Sequence, residues 1–192
     1  IGCVLIAVFV FTHNFVAAID NFSYVVRKYP DGDAKYDAYV WLIRSYSELE
    51  RYIEASEVIQ AVQGDDAFPK KLEKDLAVAT ADYYMKQQEY EEAIKFLDIA
   101  LNKTFWNSNK SRLQYIIAQL YQEVGKSAEA SEAFRKVSKT NPDYKMAFNA
   151  KINAAGVFSG KGDTEKLKKD LRKMLRDKKN VDFRDQIYYA LG

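Results

Sequence analysis

Four alanines stand at nearly fixed intervals along this chain: Ala18, Ala55, Ala93 and Ala130 are separated by 37, 38 and 37 residues. A period of this length means that one supersecondary unit is built repeatedly, which restricts the fold to stacked repeats. The neighbouring residues keep the same frame. In "YVWLIRSYSELERYIEA", Leu42, Tyr46, Tyr52 and Ala55 fall at i, i+4, i+10 and i+13, the spacing of a helix, a short turn and a second helix. Tyr84, Tyr90 and Ala93 repeat the frame in "YYMKQQEYEEA", and Tyr121 with Ala130 repeats it in "YQEVGKSAEA". A further 37 residues reach Leu167 in "GDTEKLKKDL", with Phe158 at the place of the first-helix aromatic. Four residues after each of these positions comes Phe22, Ile59, Leu97, Phe134 or Leu171, so each second helix carries an apolar stripe. Pro30 and Pro142 follow two of those helices as stops.

The alanines have a steric reason. Helices of one hairpin and the next cross closely, and a large side chain at Ala55 or Ala93 would push them apart. Composition agrees with helices: 3 Pro and 8 Gly stand against 29% charged residues, and 48% hydrophobic content over 192 residues is enough for a core. A net charge of +2 gives no field of one sign, which argues against a general nucleic-acid or membrane-surface binder. The single Cys3 rules out an internal disulfide and leaves the redox compartment open.

A helical hairpin with aromatics in its first helix, Ala in its second and Pro at its end resembles the tetratricopeptide repeat, whose unit is about 34 residues. The present period is longer, and the extra residues fit between hairpins, for example in "QGDDAFPKK". The resemblance implies an all-α, right-handed superhelical solenoid of antiparallel helix hairpins. Its repeats would span approximately 1–33, 34–70, 71–108, 109–145 and 146–182, with a partial unit at 183–192. In that last stretch, "YYALG", Tyr188, Leu191 and Gly192 fit the aromatic-x-x-Leu-Gly opening of a sixth repeat. A half repeat cannot cap an array, so a single array belonging to a longer protein is expected.

The first residues, "IGCVLIAVFVF", are apolar or small throughout, too short a run to span a bilayer and without the charged flank of a signal peptide. They read as the first helix of the first repeat, with Phe9, Phe15 and Ala18 in frame, or as a truncated signal. Ile1, Gly2 and Cys3 also resemble the tail of a lipoprotein box, although the apolar residues that follow differ from the usual polar tether.

No reactive constellation emerges. "VGKS" at positions 124–127 lacks the earlier Gly of a phosphate-binding loop and follows a helix, so it reads as a hairpin turn. His13 is the only histidine, which leaves no metal cluster and no His-centred catalytic pair to assemble. Asp65 and Asp66 fall in a linker, and Glu91 and Glu92 at a helix start, where acidic side chains suit the helix dipole. The sequons at Asn21, Asn102 and Asn109 read as chance. The expectation is a non-enzymatic chain with no cofactor and no metal; the alternative is the repeat region of a larger enzyme.

Two surfaces remain. The repeat resemblance implies a concave groove lined by first-helix residues: Asp37, Val40, Trp41, Arg44, Asp75, Val78, Asp82, Met85, Arg112, Tyr115, Gln119, Asn149, Ile152 and Asn153. Repeats that grip acidic chaperone tails use Lys and Asn one turn apart on the first helix. Here those places hold Val40 with Arg44 and Val78 with Asp82, so that carboxylate clamp is not expected. The second surface is "KLKKDLRKMLRDKK", where Lys168, Lys169, Arg172, Lys173 and Arg176 recur at helical spacing. Such a stripe can contact phosphates or acidic lipids, but interleaved Asp170 and Asp177 favour a solvated helix face.

The segments "VVRKYPDGDAKYDAYVWLIRSYSELERYIEA" and "MLRDKKNVDFRDQIYYALG" are similar to repeats of envelope-associated tetratricopeptide lipoproteins of Bacteroidota that serve gliding motility and type IX secretion. The "KYP" punctuation also resembles the outer-membrane-assembly lipoproteins. These resemblances imply a scaffold that binds other proteins or peptides on the periplasmic side of an outer membrane, held through a lipid anchor. A cytoplasmic location is the alternative, and nucleic acid is not an expected partner.

Overall fold

A computed structural model describes residues 14–157 and 164–191, except for the side chains at 107, 108, 164, 166 and 167. The expectations placed on residues 1–11, His13, Phe158 and Gly192 lie outside the described residues. Among those described there are ten α-helices, three short 3₁₀ segments and no strand. The chain divides into two compact units, Ile1–Lys103 and Thr104–Gly192.

In the first unit the helices are α1 (Phe15–Lys28), α2 (Ala34–Glu48), α3 (Tyr52–Gln63), α4 (Glu73–Lys86) and α5 (Tyr90–Asn102). In the second they are α6 (Asn107–Glu123), α7 (Ser127–Val137), α8 (Tyr144–Gly156), α9 (Thr164–Arg176) and α10 (Arg184–Leu191). Each packs mainly on its neighbours in sequence, giving antiparallel hairpins α2–α3, α4–α5 and α6–α7. The fold is all-α and built of hairpins, as the alanine period requires.

The alanine frame coincides with the helix starts. Ala18, Ala55, Ala93 and Ala130 are each the fourth residue of α1, α3, α5 and α7, and all four are 0% exposed. A larger side chain there would have to displace packed neighbours. One turn further on, Phe22, Ile59, Leu97, Phe134 and Leu171 are all buried. Full burial of such side chains stabilises by about 1.5–3 kcal/mol each.

The turn inside each hairpin repeats as well. Glu50, Gln88 and Gly125 occupy its middle with φ of 57°, 62° and 72°. The residue that follows, Arg51, Glu89 or Lys126, donates its N–H at 2.9 Å to the carbonyl of Tyr46, Tyr84 or Tyr121. "VGKS" is thus the third copy of this turn. Asp65 lies in the linker after α3, where its carboxylate accepts from the Ala67 N–H and the Tyr36 hydroxyl, both at 2.9 Å. Phe68 of the same linker meets Tyr36 edge-on at 5.4 Å.

The core of the first unit has two clusters, one around Ala18, Ile19, Phe22, Ala38 and Leu42, the other around Val40, Ile43, Ala55, Ile59, Ala79 and Tyr83. In the second unit α7 buries Ala130, Ala133, Phe134 and Val137. A further cluster joins Phe148 and Ala155 of α8, Leu171 and Met174 of α9, and Ile187 of α10. Here the pattern changes. The backbones of α8 and α9 approach far less closely than those of the other hairpins, and α9 packs instead on α10 and the 3₁₀ segment Lys178–Phe183. This is the repeat whose sequence has Leu167 where the four before it have alanine.

Candidate protein-binding faces

In the first unit the groove positions belong to α2 and α4, which lie side by side. Close approach is permitted by small buried residues: Ala38, Ser45 and Ser47 on α2, and Ala77, Ala79, Thr80 and Ala81 on α4. Trp41 is half-buried, stacked on Phe22 of α1 with ring centroids 6.0 Å apart and planes 4° from parallel. Arg44, three residues further along the same helix face, sets its Cζ 4.9 Å from the Trp41 ring centroid.

Charge of both signs surrounds this pair. Burial lowers the pKa of Arg44, and the carboxylates of Asp75 and Asp82 on α4 act against that fall. Neither comes within ion-pair distance of it among the described residues. Burial pushes the Asp82 carboxyl above its ordinary value; Glu48 adds to the rise, while Lys86 and Arg44 oppose it. Lys86 donates to Glu48 at 3.1 Å. Burial works against the Lys86 charge, but this bond and the nearby carboxylates raise its pKa overall. Glu48 and Lys86 were not among the groove positions named from the sequence. They stand four residues beyond Arg44 and Asp82, so helical spacing alone could have found them.

The remaining positions of this unit differ in depth. Asp37, Asp75, Val78 and Met85 are half-buried, and Asp75 pairs with Lys74 at 3.6 Å. Val40 is 3% exposed and packs with Ile43, Ala55 and Ile59 in the core.

In the second unit the positions come from α6 and α8. Arg112 and Gln119 are exposed; Tyr115, Asn149, Ile152 and Asn153 are half-buried. The Asn153 side-chain amide donates to the Tyr115 hydroxyl oxygen at 2.8 Å. Tyr115 also meets Phe134 edge-on at 5.3 Å, and burial raises the pKa of its hydroxyl. Ile152 packs against the α8–α10 cluster. Of the basic stripe on α9, Lys168 is half-buried, whereas Lys169, Arg172, Lys173 and Arg176 are exposed. Lys173 and Arg176 border a cleft of about 820 Å³, together with cations from α7, the 3₁₀ turn after it and α8.

Among the described residues no group of three or more His, Cys, Asp or Glu side chains is placed to hold a metal ion, and no helix is long and apolar enough to cross a membrane. The arrangement offers hydrogen-bond donors, acceptors and aromatic surface, which is the chemistry of recognition.

Comparison with known proteins agrees with the fold. The family model for the tetratricopeptide repeat matches residues 111–144, so the chain carries at least one such repeat, over α6, α7 and the turn that follows them. A human protein, the intraflagellar transport protein 88 homolog, is 25% identical over 152 residues, covering 78% of this chain. The chain spans 18% of that relative's length. Two crystal structures of MamA superpose with TM-scores of 0.60 and 0.64 at 16% and 18% identity. They cover 95% and 93% of this chain, and the chain covers 88% and 91% of theirs. A structure of Pseudomonas aeruginosa pilF matches with TM-score 0.60 and 18% identity over 97% of this chain and 85% of its own. These likenesses establish the helical-repeat fold and do not extend to function.

Proposed function

We propose that this chain is a non-enzymatic scaffold segment that holds other proteins through the first-helix faces of its hairpins, with Trp41 and Arg44 as a principal contact. The observation that carries this reading is the state of Arg44. Its guanidinium is half-buried over an aromatic ring, near two carboxylates, and among the described residues it forms an ion pair with neither. A desolvated cation with unused donors gains most from an acceptor brought by a partner, and Arg beside Trp is a frequent hot-spot composition. Backbone carbonyls of an extended peptide suit it better than a carboxylate, because Asp75 and Asp82 already lie nearby.

The test replaces Trp41 and Arg44 together with Ala and compares affinity capture by the full chain with that of the variant. Proteins recovered by the unaltered chain should be lost from the variant, while helicity and the unfolding midpoint stay nearly unchanged. An identical recovered set would remove this face from consideration, and loss of the fold would assign Trp41 to the core.

For the setting of the scaffold, two readings have support. The sequence match to the human intraflagellar transport relative favours a transport assembly of that kind, since it spans 152 residues in sequence and not only in fold. The reading as part of a bacterial envelope secretion, motility or outer-membrane assembly complex, lipid-anchored on the periplasmic side, draws on the envelope-repeat resemblance of the sequence alone. Tagging the full-length protein in its own cells separates them: recovery with flagellar axonemes supports the first, and co-fractionation with outer membrane supports the second.

A further inference from the structure

We propose that the cleft between α7, α8 and α9 is a second docking site, separate from the first-helix face, and that its occupant is a short acidic peptide segment carrying an apolar side chain. The cleft encloses about 820 Å³, within the range of about 300–1,000 Å³ that buries a ligand of a few side chains and too small for a folded domain. Its walls are α7 with the 3₁₀ turn after it, α8 and α9, all within the second unit.

The floor is apolar. Phe134, Ala154, Leu171 and Met174 line it, none more than 8% exposed. The rim is predominantly cationic: Arg135 of α7, Lys139 of the 3₁₀ turn, Lys151 of α8, and Lys173 and Arg176 of α9 all border the opening. None of these five takes part in an ion pair among the described residues. Cations drawn from three α-helices and the 3₁₀ turn between two of them, around one apolar recess, differ from a solvated face, where the charges lie along a single helix and point outward. They present convergent donors to an anionic ligand that also has something apolar to bury.

Three carboxylates also line the cleft, Glu132, Asp170 and Asp177, and they decide the class of ligand. A uniformly anionic surface, such as a phospholipid bilayer or a phosphate backbone, would bring like charge against all three. A peptide alternates acidic side chains with backbone N–H groups, so its carboxylates can meet the cations while its donors meet Glu132 and Asp170. Asp177 is partly used already, accepting from the Lys179 N–H at 3.0 Å. A flat membrane surface also cannot reach a floor recessed below the rim.

The experiment selects a phage-displayed library of random short peptides on the full chain and measures binding of the enriched peptides by fluorescence anisotropy. Enrichment of sequences with several Asp or Glu around one large apolar residue is expected. Arg135→Glu with Lys151→Glu should weaken those peptides by roughly tenfold or more. Lys168→Glu with Lys169→Glu, an equal charge change on α9 outside the cleft, should change binding by no more than about twofold. Trp41→Ala with Arg44→Ala should leave it unaltered, which keeps this site's result distinct from that of the first-helix face. Arg135, Lys151 and Lys169 are exposed and Lys168 is half-buried, so circular dichroism and the unfolding midpoint establish that each variant is folded before binding is compared. Equal losses in the two charge-reversed variants would overturn the proposal in favour of diffuse attraction, and absence of acidic enrichment would overturn it outright. Sedimentation of the chain with phosphatidylserine–phosphatidylcholine vesicles, abolished by Arg135→Glu with Lys151→Glu, would overturn it in favour of a lipid surface.

Discussion

Glu50, Gln88 and Gly125 hold one backbone geometry in three successive turns, and only one of them is the residue that geometry favours. An L-residue in the left-handed region crowds its Cβ against the following carbonyl, at about 1–2 kcal/mol, while glycine avoids the clash and loses more chain entropy. The net difference favours glycine. Gln88→Gly should therefore raise stability by about 0.5–1 kcal/mol and Gly125→Ala should lower it by about 1 kcal/mol, both read from urea midpoints. A Cβ at Gly125 would meet nothing within 4 Å, so the second effect would report backbone strain alone. A different single-residue cost lies in α4, where the Thr80 hydroxyl is fully buried and has no hydrogen-bond partner among the described residues. Thr80→Val keeps the shape and removes the orphaned group, and should raise the unfolding free energy by about 1 kcal/mol.

At the level of helices, the clearest control is the crossing at each buried alanine. Ala93→Trp and Ala130→Trp should each destabilise by at least about 1–3 kcal/mol, because no rotamer fits a site that is 0% exposed; unchanged thermal midpoints would show that the crossings are not tight. Between α2 and α4 the control is electrostatic. Asp82 titrates above its ordinary value in the folded chain, so in the window between the two values the folded state binds more protons than the unfolded one. Stability contributed by this group falls as pH rises through that window. Asp82→Asn should thus raise the unfolding midpoint at neutral pH, with the gain fading once the pH is below the ordinary carboxylate range. The alanine period makes helix starts, hairpin turns and the buried stripe legible in the sequence, since small residues at a fixed interval have few other causes. Depth was less legible. Val40 and Trp41 are adjacent on α2, yet one is packed among Ile43 and Ile59 while the other stacks on Phe22, a helix away. A repeat frame gives the direction in which a side chain points, and not what a neighbouring hairpin places over it. The same limit hid the cleft: α9 read alone is a solvated basic face, and only the position of α7 and α8 shows that Lys173 and Arg176 converge with Arg135, Lys139 and Lys151.

Across the whole molecule, packing is local in sequence: within each unit every helix meets chiefly its neighbours or the next but one. In such chains stability is approximately a sum of unit terms and nearest-neighbour terms, so strain introduced at one crossing is felt first by the helices that form it. Native-state hydrogen exchange can read this, because amides in a weakened element open at lower free energy than the rest. Ala93→Trp should accelerate exchange in α4 and α5, which form that crossing within Ile1–Lys103, while amides of α8, α9 and α10 keep their protection. Ala130→Trp should do the converse, loosening α6 and α7 with α1 and α2 unaffected. A uniform loss of protection after either change would mean that the chain opens as one cooperative body. The distinction bears on function, since a scaffold whose hairpins yield separately can lose one docking face and keep the other. The same local packing predicts that the Trp41 and Arg44 substitutions and those at Arg135 and Lys151 act additively on stability, within about 0.5 kcal/mol, when combined in one chain.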